Sequence, residues 1–289
     1  MENAIRKNAP LSEHKMEVKQ AKRFEFGENW LRFLSVLDEE RISEAEKSLK
    51  QMLEVDDLRG KSFLDIGSGS GLFSLAARKL GATVNSFDCD SLCVTCTQEL
   101  KRRYFPDDTH WTIERGDILS DPYLNSLGKF DVVYSWGVLH HTGAMWQALA
   151  NVSSLVTKGG KLFISIYNDQ GNASLGWEAL KKFYNCSSKP IKELMVLGVG
   201  AYWEIRALLV RLAHFRNPLP FKDWAERKKS RGMSVWNDVI DWVGGYPFEV
   251  AKPEAILGFF REKGFELIRL KTCGGGHACN EFVFLRKPD

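Results

Sequence analysis

Three groups of residues in this 289-residue chain have the types and spacing that chemistry needs. Cys89, Cys93 and Cys96 stand in CDSLCVTC, and C-x3-C-x2-C can hold a [4Fe–4S] cluster on three thiolates with one iron left open. His140 and His141 are adjacent, and histidine is the side chain suited to moving protons near neutral pH. The run LDIGSGSG supplies Asp65, Gly67, Gly69 and Gly71. Glycines in such a turn let the backbone approach a ligand, and the helix that follows offers free N–H groups. Which group forms a site depends on the elements that carry it.

The apolar runs KSFLDIG (61–67), ATVNSFD (82–88), HWTIERGD (110–117), KFDVVYSW (129–136) and KLFISIY (161–167) read as five strands. Helical pattern over Gly71–Leu80 and Ser91–Tyr104, and again between the fourth and fifth strands, alternates with them. That alternation predicts a doubly wound α/β sheet, parallel, with helices on both faces. Residues 168–250 break the rhythm and carry their own helical pattern, so a helical cap inserted after the fifth strand is expected. The rhythm resumes with a helix at Pro253–Lys263 and strands at FELIRLKT (265–272) and NEFVFLRK (280–287). A join of about seven residues is too short for a crossover helix, so the last strand must run antiparallel, completing a Rossmann-like sheet of seven strands. Ahead of it, 1–55 is expected to be an N-terminal helical segment and 56–289 the main domain, with Trp30, Phe33, Leu34 and Leu37 at helix spacing.

The glycine turn is neither a P-loop, which needs a following Lys, nor a dinucleotide fingerprint, since Leu72 stands where a third glycine belongs. Acid-x-Gly-x-Gly-x-Gly instead suits an amino acid joined to a nucleoside. Asp88 ends the second strand, where a carboxylate can accept from ribose hydroxyls. Asp117, in GDIL after the third strand, can accept from an adenine amino group.

LDIGSGSG, the acid of SFD, GDIL and DVVYSWGVLHH resemble, in order and spacing, the motifs of class I S-adenosylmethionine-dependent methyltransferases. The likeness is firm over 60–167, and the HH pair is similar to the ubiquinone and menaquinone methyltransferase branch. It implies S-adenosylmethionine as cofactor, held by Asp65, Gly67, Ser68, Gly69, Gly71, Asp88, Cys89, Asp117, Ile118 and Trp136. Cys93, Cys96 and Leu100 then fall at i, i+3, i+7, the buried stripe of a helix. No metal is expected, because CVTC lacks a second ligand pair for zinc and the barrel of a radical enzyme has no room.

Methyl transfer from a sulfonium is chiefly a matter of positioning. An oxygen acceptor must also lose a proton, which makes His140 the first candidate base, with His141 and His277 behind it. Tyr167, Asn168, Trp242 and Asn280 are candidate substrate contacts, and Trp30 or Trp136 could face the cation. A small-molecule O-methyltransferase is the leading reading; N- or C-methylation is the alternative, and an NAD-dependent oxidoreductase a distant one. Net charge of +3 with mixed signs, and the lack of Asn-Pro-Pro-Tyr after the fourth strand, argue against a nucleic-acid partner. The opening MENAIRKNAPLSEHK has no apolar core, so a cytoplasmic monomer or homodimer with reduced cysteines is expected. Residues 194–216 form an apolar helix edged by Arg206, Arg211 and Arg216. It is either a lid or dimer face, or an interfacial helix serving a lipid-like acceptor with at most peripheral membrane contact.

Overall fold

A computed structural model describes Trp30, Leu34, 37–215, 217–220, 235–274, Gly276 and 278–288. The helix expected before Trp30, the stretch 221–234 and His277 lie outside these residues. The described chain falls into two compact units, Asn172–Phe248 and the remainder.

The larger unit follows the alternation. Helix α1 (Glu39–Leu53) starts at Asp38, whose side chain accepts the Arg41 N–H at 2.9 Å, and the acidic Glu39 and Glu40 occupy its first turn. Then come β1 (Ser62–Ile66), α2 (Leu72–Lys79), β2 (Thr83–Asp88), α3 (Ser91–Tyr104), β3 (Trp111–Arg115), α4 (Asp121–Leu127) and β4 (Phe130–Trp136). A 3-10 turn at Leu139–His141, α5 (Met145–Ser154) and β5 (Val156–Tyr167) complete this run. The sheet has seven strands in the order β3-β2-β1-β4-β5-β7-β6, where β6 is Phe265–Lys271 and β7 is Cys279–Arg286. β1 to β5 pair in parallel, and β7 is antiparallel to both neighbours.

Alternation along the strands separates two cores, one on each face. Phe63, Val84, Val132 and Phe163 pack with Ile42 and Leu49 of α1, Leu75 of α2 and Cys96 and Leu100 of α3. Leu64, Val133, Leu162 and Phe282 pack with Leu124, Leu149, and Ile256 and Phe260 of the helix Pro253–Glu262. Cys93 and Cys96 are therefore packing residues of α3, as their spacing predicted. Burial is the main cause that pushes the Cys96 thiol up to about 11.

The insertion leaves and re-enters at adjoining points. Asn168 bridges Ala251 in parallel, the Ala251 N–H donates to the Tyr167 carbonyl at 3.0 Å, and the Asp169 N–H donates to the Ala251 carbonyl at 3.2 Å. Its ends are thus closed by the sheet unit, which limits the entropy cost of the excursion.

The smaller unit comprises α6 (Asn172–Cys186), α7 (Lys189–Ala213) and α8 (Val235–Gly244), the helix Pro253–Glu262 being α9. Its core holds Tyr184, Val196, Val199, Val239 and Val243, with Trp177, Trp203 and Trp242 packed against them. Within it Lys181 is fully buried: its ammonium donates to the Trp242 carbonyl and lies 4.5 and 4.8 Å from the centroids of Trp242 and Phe248. Burial drives its pKa down to about 7, against the opposing pull of Asp241. A lysine with a lowered folded-state pKa contributes stability above its unfolded value that is lost as pH falls toward the folded one. Unfolding of the intact chain, followed by tryptophan fluorescence, should therefore gain up to about 5 kcal/mol between pH 7 and 10. In Lys181→Met this rise should vanish; an unchanged slope would mean that Lys181 does not lose its proton on folding.

Candidate active site

The carboxyl ends of β1 to β5 carry most of the predicted site residues, while Asn280 lies on β7 and Trp242 in the other unit. After β1 the chain turns through Gly67, Gly69 and Gly71, at φ of +75°, +54° and +80°. These left-handed values exclude ordinary side chains at little cost only to glycine. A Cβ on Gly67 would also meet Val138 at 2.4 Å, and one on Gly69 would lie 3.1 Å from the Trp30 indole. Trp30 therefore covers the glycine loop.

The N–H groups of Gly67 and Ser68 donate to the Phe87 carbonyl at 2.8 and 3.1 Å. Gly69 donates to one carboxylate oxygen of Asp88 at 3.0 Å, and Asp90 to the other at 2.9 Å. Asp88 is buried, and burial pushes its pKa up. A carboxylate offers about four lone-pair sites; with the Cys93 thiol also bonded to it, one remains for a hydroxyl donor. The Gly116 N–H reaches the Asp88 carbonyl at 3.0 Å and draws the loop after β3 alongside. There one oxygen of Asp117 accepts the Leu119 N–H at 2.9 Å, and Ile118 is buried. The other oxygen of Asp117 is open to an amino donor. This donor and acceptor set fits a ribose diol followed by an adenine. Cys89 is exposed, its carbonyl accepting from Arg115 at 3.2 Å, and Trp136 is 41% exposed at the end of β4.

Asp65 sits apart from this surface. Ser74 donates to it, Ser74 and Ser86 are 2.7 Å apart, and the Trp111 indole donates to Ser86 at 2.9 Å. Its carboxyl is fully buried and pushed up to about 7, first by burial, with Ser74 opposing and Asp88 adding repulsion.

On the acceptor side, His140 is fully buried and His141 partly open. The Tyr167 ring lies 4.0 Å from the His140 ring and 5.5 Å from His141, edge-on to the latter. Asn280 donates to the Asn168 side chain at 3.0 Å and accepts the Cys273 N–H at 3.0 Å, pinning the last hairpin to the end of β5. Trp242 belongs to the core of the other unit. Among the described residues no group of three or more His, Cys, Asp or Glu could hold a metal ion.

The sequence reading missed Glu249. Both its carboxylate oxygens accept the Met145 N–H, at 3.0 and 3.1 Å, capping α5, while its own N–H donates to the His140 carbonyl at 2.9 Å. It thus holds the histidine turn from both sides. Nothing local marks it, because a cap supplied 104 residues away has no sequence spacing.

Residues 37–233 match the family model described as a methyltransferase domain. The chain belongs to the methyltransferase-domain family. With it come the class I fold and S-adenosylmethionine as cofactor, and the resemblance to the ubiquinone branch holds. A ubiquinone biosynthesis O-methyltransferase of Coxiella burnetii (strain Dugway 5J108-111) is 25% identical over 188 residues, 65% of this chain and 70% of that protein. A tRNA U34 carboxymethyltransferase of Ectopseudomonas mendocina (strain ymp) is 31% identical over 120 residues, 40% of this chain. The match spans only 35% of that enzyme's length. Among solved structures, magnesium protoporphyrin IX methyltransferase from Synechocystis PCC 6803 with bound SAH superposes with a TM-score of 0.51 at 16% identity, covering 85% of this chain and 83% of that one. The [4+2]-cyclase SpnF superposes at 0.52 and 10% identity, over 86% and 81% of the two chains. Both show the shared fold.

Two outcomes follow for the methyltransferase domain. Asp88→Ala should weaken S-adenosylmethionine binding by roughly 1–3 kcal/mol in calorimetry, the cost of a lost charged hydrogen bond; unchanged affinity removes the ribose assignment. Asp65 has a folded pKa above its unfolded one, so its contribution is complete below about pH 4 and lost as pH rises through 7. Wild type should lose up to about 4 kcal/mol of unfolding free energy across that window, and Asp65→Asn should flatten the profile.

Proposed function

We propose that this chain methylates an oxygen of a small-molecule acceptor, with His141 as the base. The observation that carries the reading is the histidine turn after β4. His141 is partly open and edge-on to Tyr167, whereas His140, first in the sequence ranking, is enclosed behind it. His140 then serves to orient its neighbour. The Coxiella relative is an O-methyltransferase by name, which agrees with an oxygen acceptor.

S-adenosylmethionine, when bound, supplies an electrophilic methyl group on a sulfonium, released with the sulfur as a neutral thioether. The chain's own residues do the rest. Asp88 and Asp117 fix the nucleoside; the glycine loop under Trp30 fixes the approach. The His141 imidazole takes the acceptor's hydroxyl proton as the oxygen attacks, and Glu249 keeps the turn in register. Asn168 and Asn280, bonded to each other, define one wall of the acceptor site.

Incubation of candidate metabolites with methyl-labelled cofactor, read by mass spectrometry, identifies the acceptor. On that acceptor His141→Ala should turn over roughly 10²–10⁴-fold more slowly, the usual contribution of a general base, with cofactor affinity unchanged. Normal turnover by His141→Ala sinks the base assignment, and an amine or carbon acceptor then becomes the better reading.

A further inference from the structure

The hairpin of β6 and β7 has a cysteine on each side of its turn, Cys273 and Cys279, with five residues between them. Regular pairing of the two strands runs as far as Lys271 opposite Glu281. On one face of the sheet the Lys271 ammonium reaches the Glu281 carboxylate at 3.2 Å. Side chains alternate along a strand, so in the same register and on the same face the next opposed pair toward the tip is Cys273 and Cys279. The two sides stay together where the ladder stops. Cys279 is still part of β7 and pairs with Tyr167 of β5. The Asn280 side chain accepts the Cys273 N–H at 3.0 Å, which fastens Cys273 alongside β7. The Cys273 thiol donates to the Gly276 carbonyl at 3.3 Å, so the sulfur points into the turn and not away from it.

That placement suits a covalent bond between the two sulfurs. Directly opposed residues of antiparallel strands have Cα atoms about 4.5 or 5.5 Å apart, and both values lie inside the roughly 4.4–6.8 Å that a disulfide accepts. Gly274, at φ +65°, gives the turn a left-handed step at its start, so closing the hairpin mouth strains no side chain there. Both cysteines are partly exposed and open to a dissolved reagent. The remaining cysteines are placed differently. Cys93 and Cys96 are enclosed in the packing of α3, while Cys89 and Cys186 belong to different units.

We propose that Cys273 and Cys279 are a redox modification site, oxidised by a small disulfide such as glutathione disulfide to a reversible bond that closes the hairpin tip. One cysteine thiolate attacks glutathione disulfide, forming a mixed disulfide and releasing one glutathione. The other thiolate then attacks the cysteine sulfur of that mixed disulfide and releases the second. Two cysteine thiols are oxidised, one glutathione disulfide is reduced to two thiols, and the two protons pass to them. The bond is independent of which atom the enzyme methylates.

Peptide mass spectrometry tests it on the intact chain. The protein is incubated with glutathione disulfide, folded or in urea, then blocked with iodoacetamide and digested with trypsin. Cleavage after Lys271 and Arg286 leaves both cysteines in one peptide, residues 272–286. From the folded protein this peptide should be lighter by two hydrogens than its reduced form and carry no alkyl group. Dithiothreitol should restore two alkylation sites. The ratio of internal to mixed disulfide should be at least ~10-fold higher in the folded chain than in urea, because the strands hold the sulfurs at a higher effective concentration than a flexible loop does. Four results overturn the proposal: two alkyl groups on the peptide after oxidation, glutathione retained on it, a disulfide to any other peptide or chain, or equal ratios in the folded and unfolded protein.

Discussion

A single buried carboxylate, that of Asp88, organises the site. Taken out of water, an anion must be met by donors or give up its charge. Gly69 and Asp90 supply two N–H groups, and the Asp88 carbonyl draws in Gly116. Three segments that are far apart in sequence are therefore fixed relative to one another by the hydrogen-bonding needs of one residue. The glycines follow from the same demand. Gly69 presents its N–H to Asp88 from a left-handed conformation, and Gly67 has no room for a side chain because Val138 packs against it. Val138 precedes the histidine turn by two residues. The glycine loop and the histidine turn are thereby in van der Waals contact through a missing Cβ.

Much of the fold was legible because it is local. Apolar runs gave the strands within a few residues, and Ser91–Tyr104 was found to its ends because Asp90 caps it and a buried stripe defines it. The antiparallel last strand was legible from the short join before it. The order of the last two strands was not: β7 sits beside β5 and β6 forms the edge, a choice made by packing on both faces of β7. The site divides in the same way. Asp88 and Asp117 announce themselves at strand ends, but Asp65, read as part of the cofactor surface, turns inward to a serine and tryptophan network. Glu249 and the Asn168–Asn280 bond depend on tertiary closure and have no spacing to read.

Two buried ionisable groups have environments that oppose their charged forms. Asp65 lies with Ser74 and near a second acid, and Lys181 lies between aromatic rings with a carbonyl for its proton. Both pKa values are driven toward neutrality from opposite directions. Desolvation is the larger influence in each, as expected where the local partners cannot replace water's solvation of a full charge. No spacing in the sequence sets Lys181 apart from its neighbour Lys182. Its four methylenes can fill an apolar core as a long hydrocarbon would, and only the nitrogen needs a partner.

The shared fold does not by itself dictate the reaction, since function resides in sites carried by folds, and one structural neighbour is a cyclase by its title. The distinction must therefore come from groups that a methyl acceptor requires and the fold does not. The histidine turn is the candidate for such a group. Its backbone is held by Glu249 from the point where the chain returns from the insertion, and Tyr167, against which both rings pack, is the last residue before the chain departs. The two stems of the insertion thus brace the turn directly, through one hydrogen bond and two ring contacts. Glu249 and Tyr167, one at each stem, therefore fix the backbone and the ring packing of the histidine turn within the sheet unit.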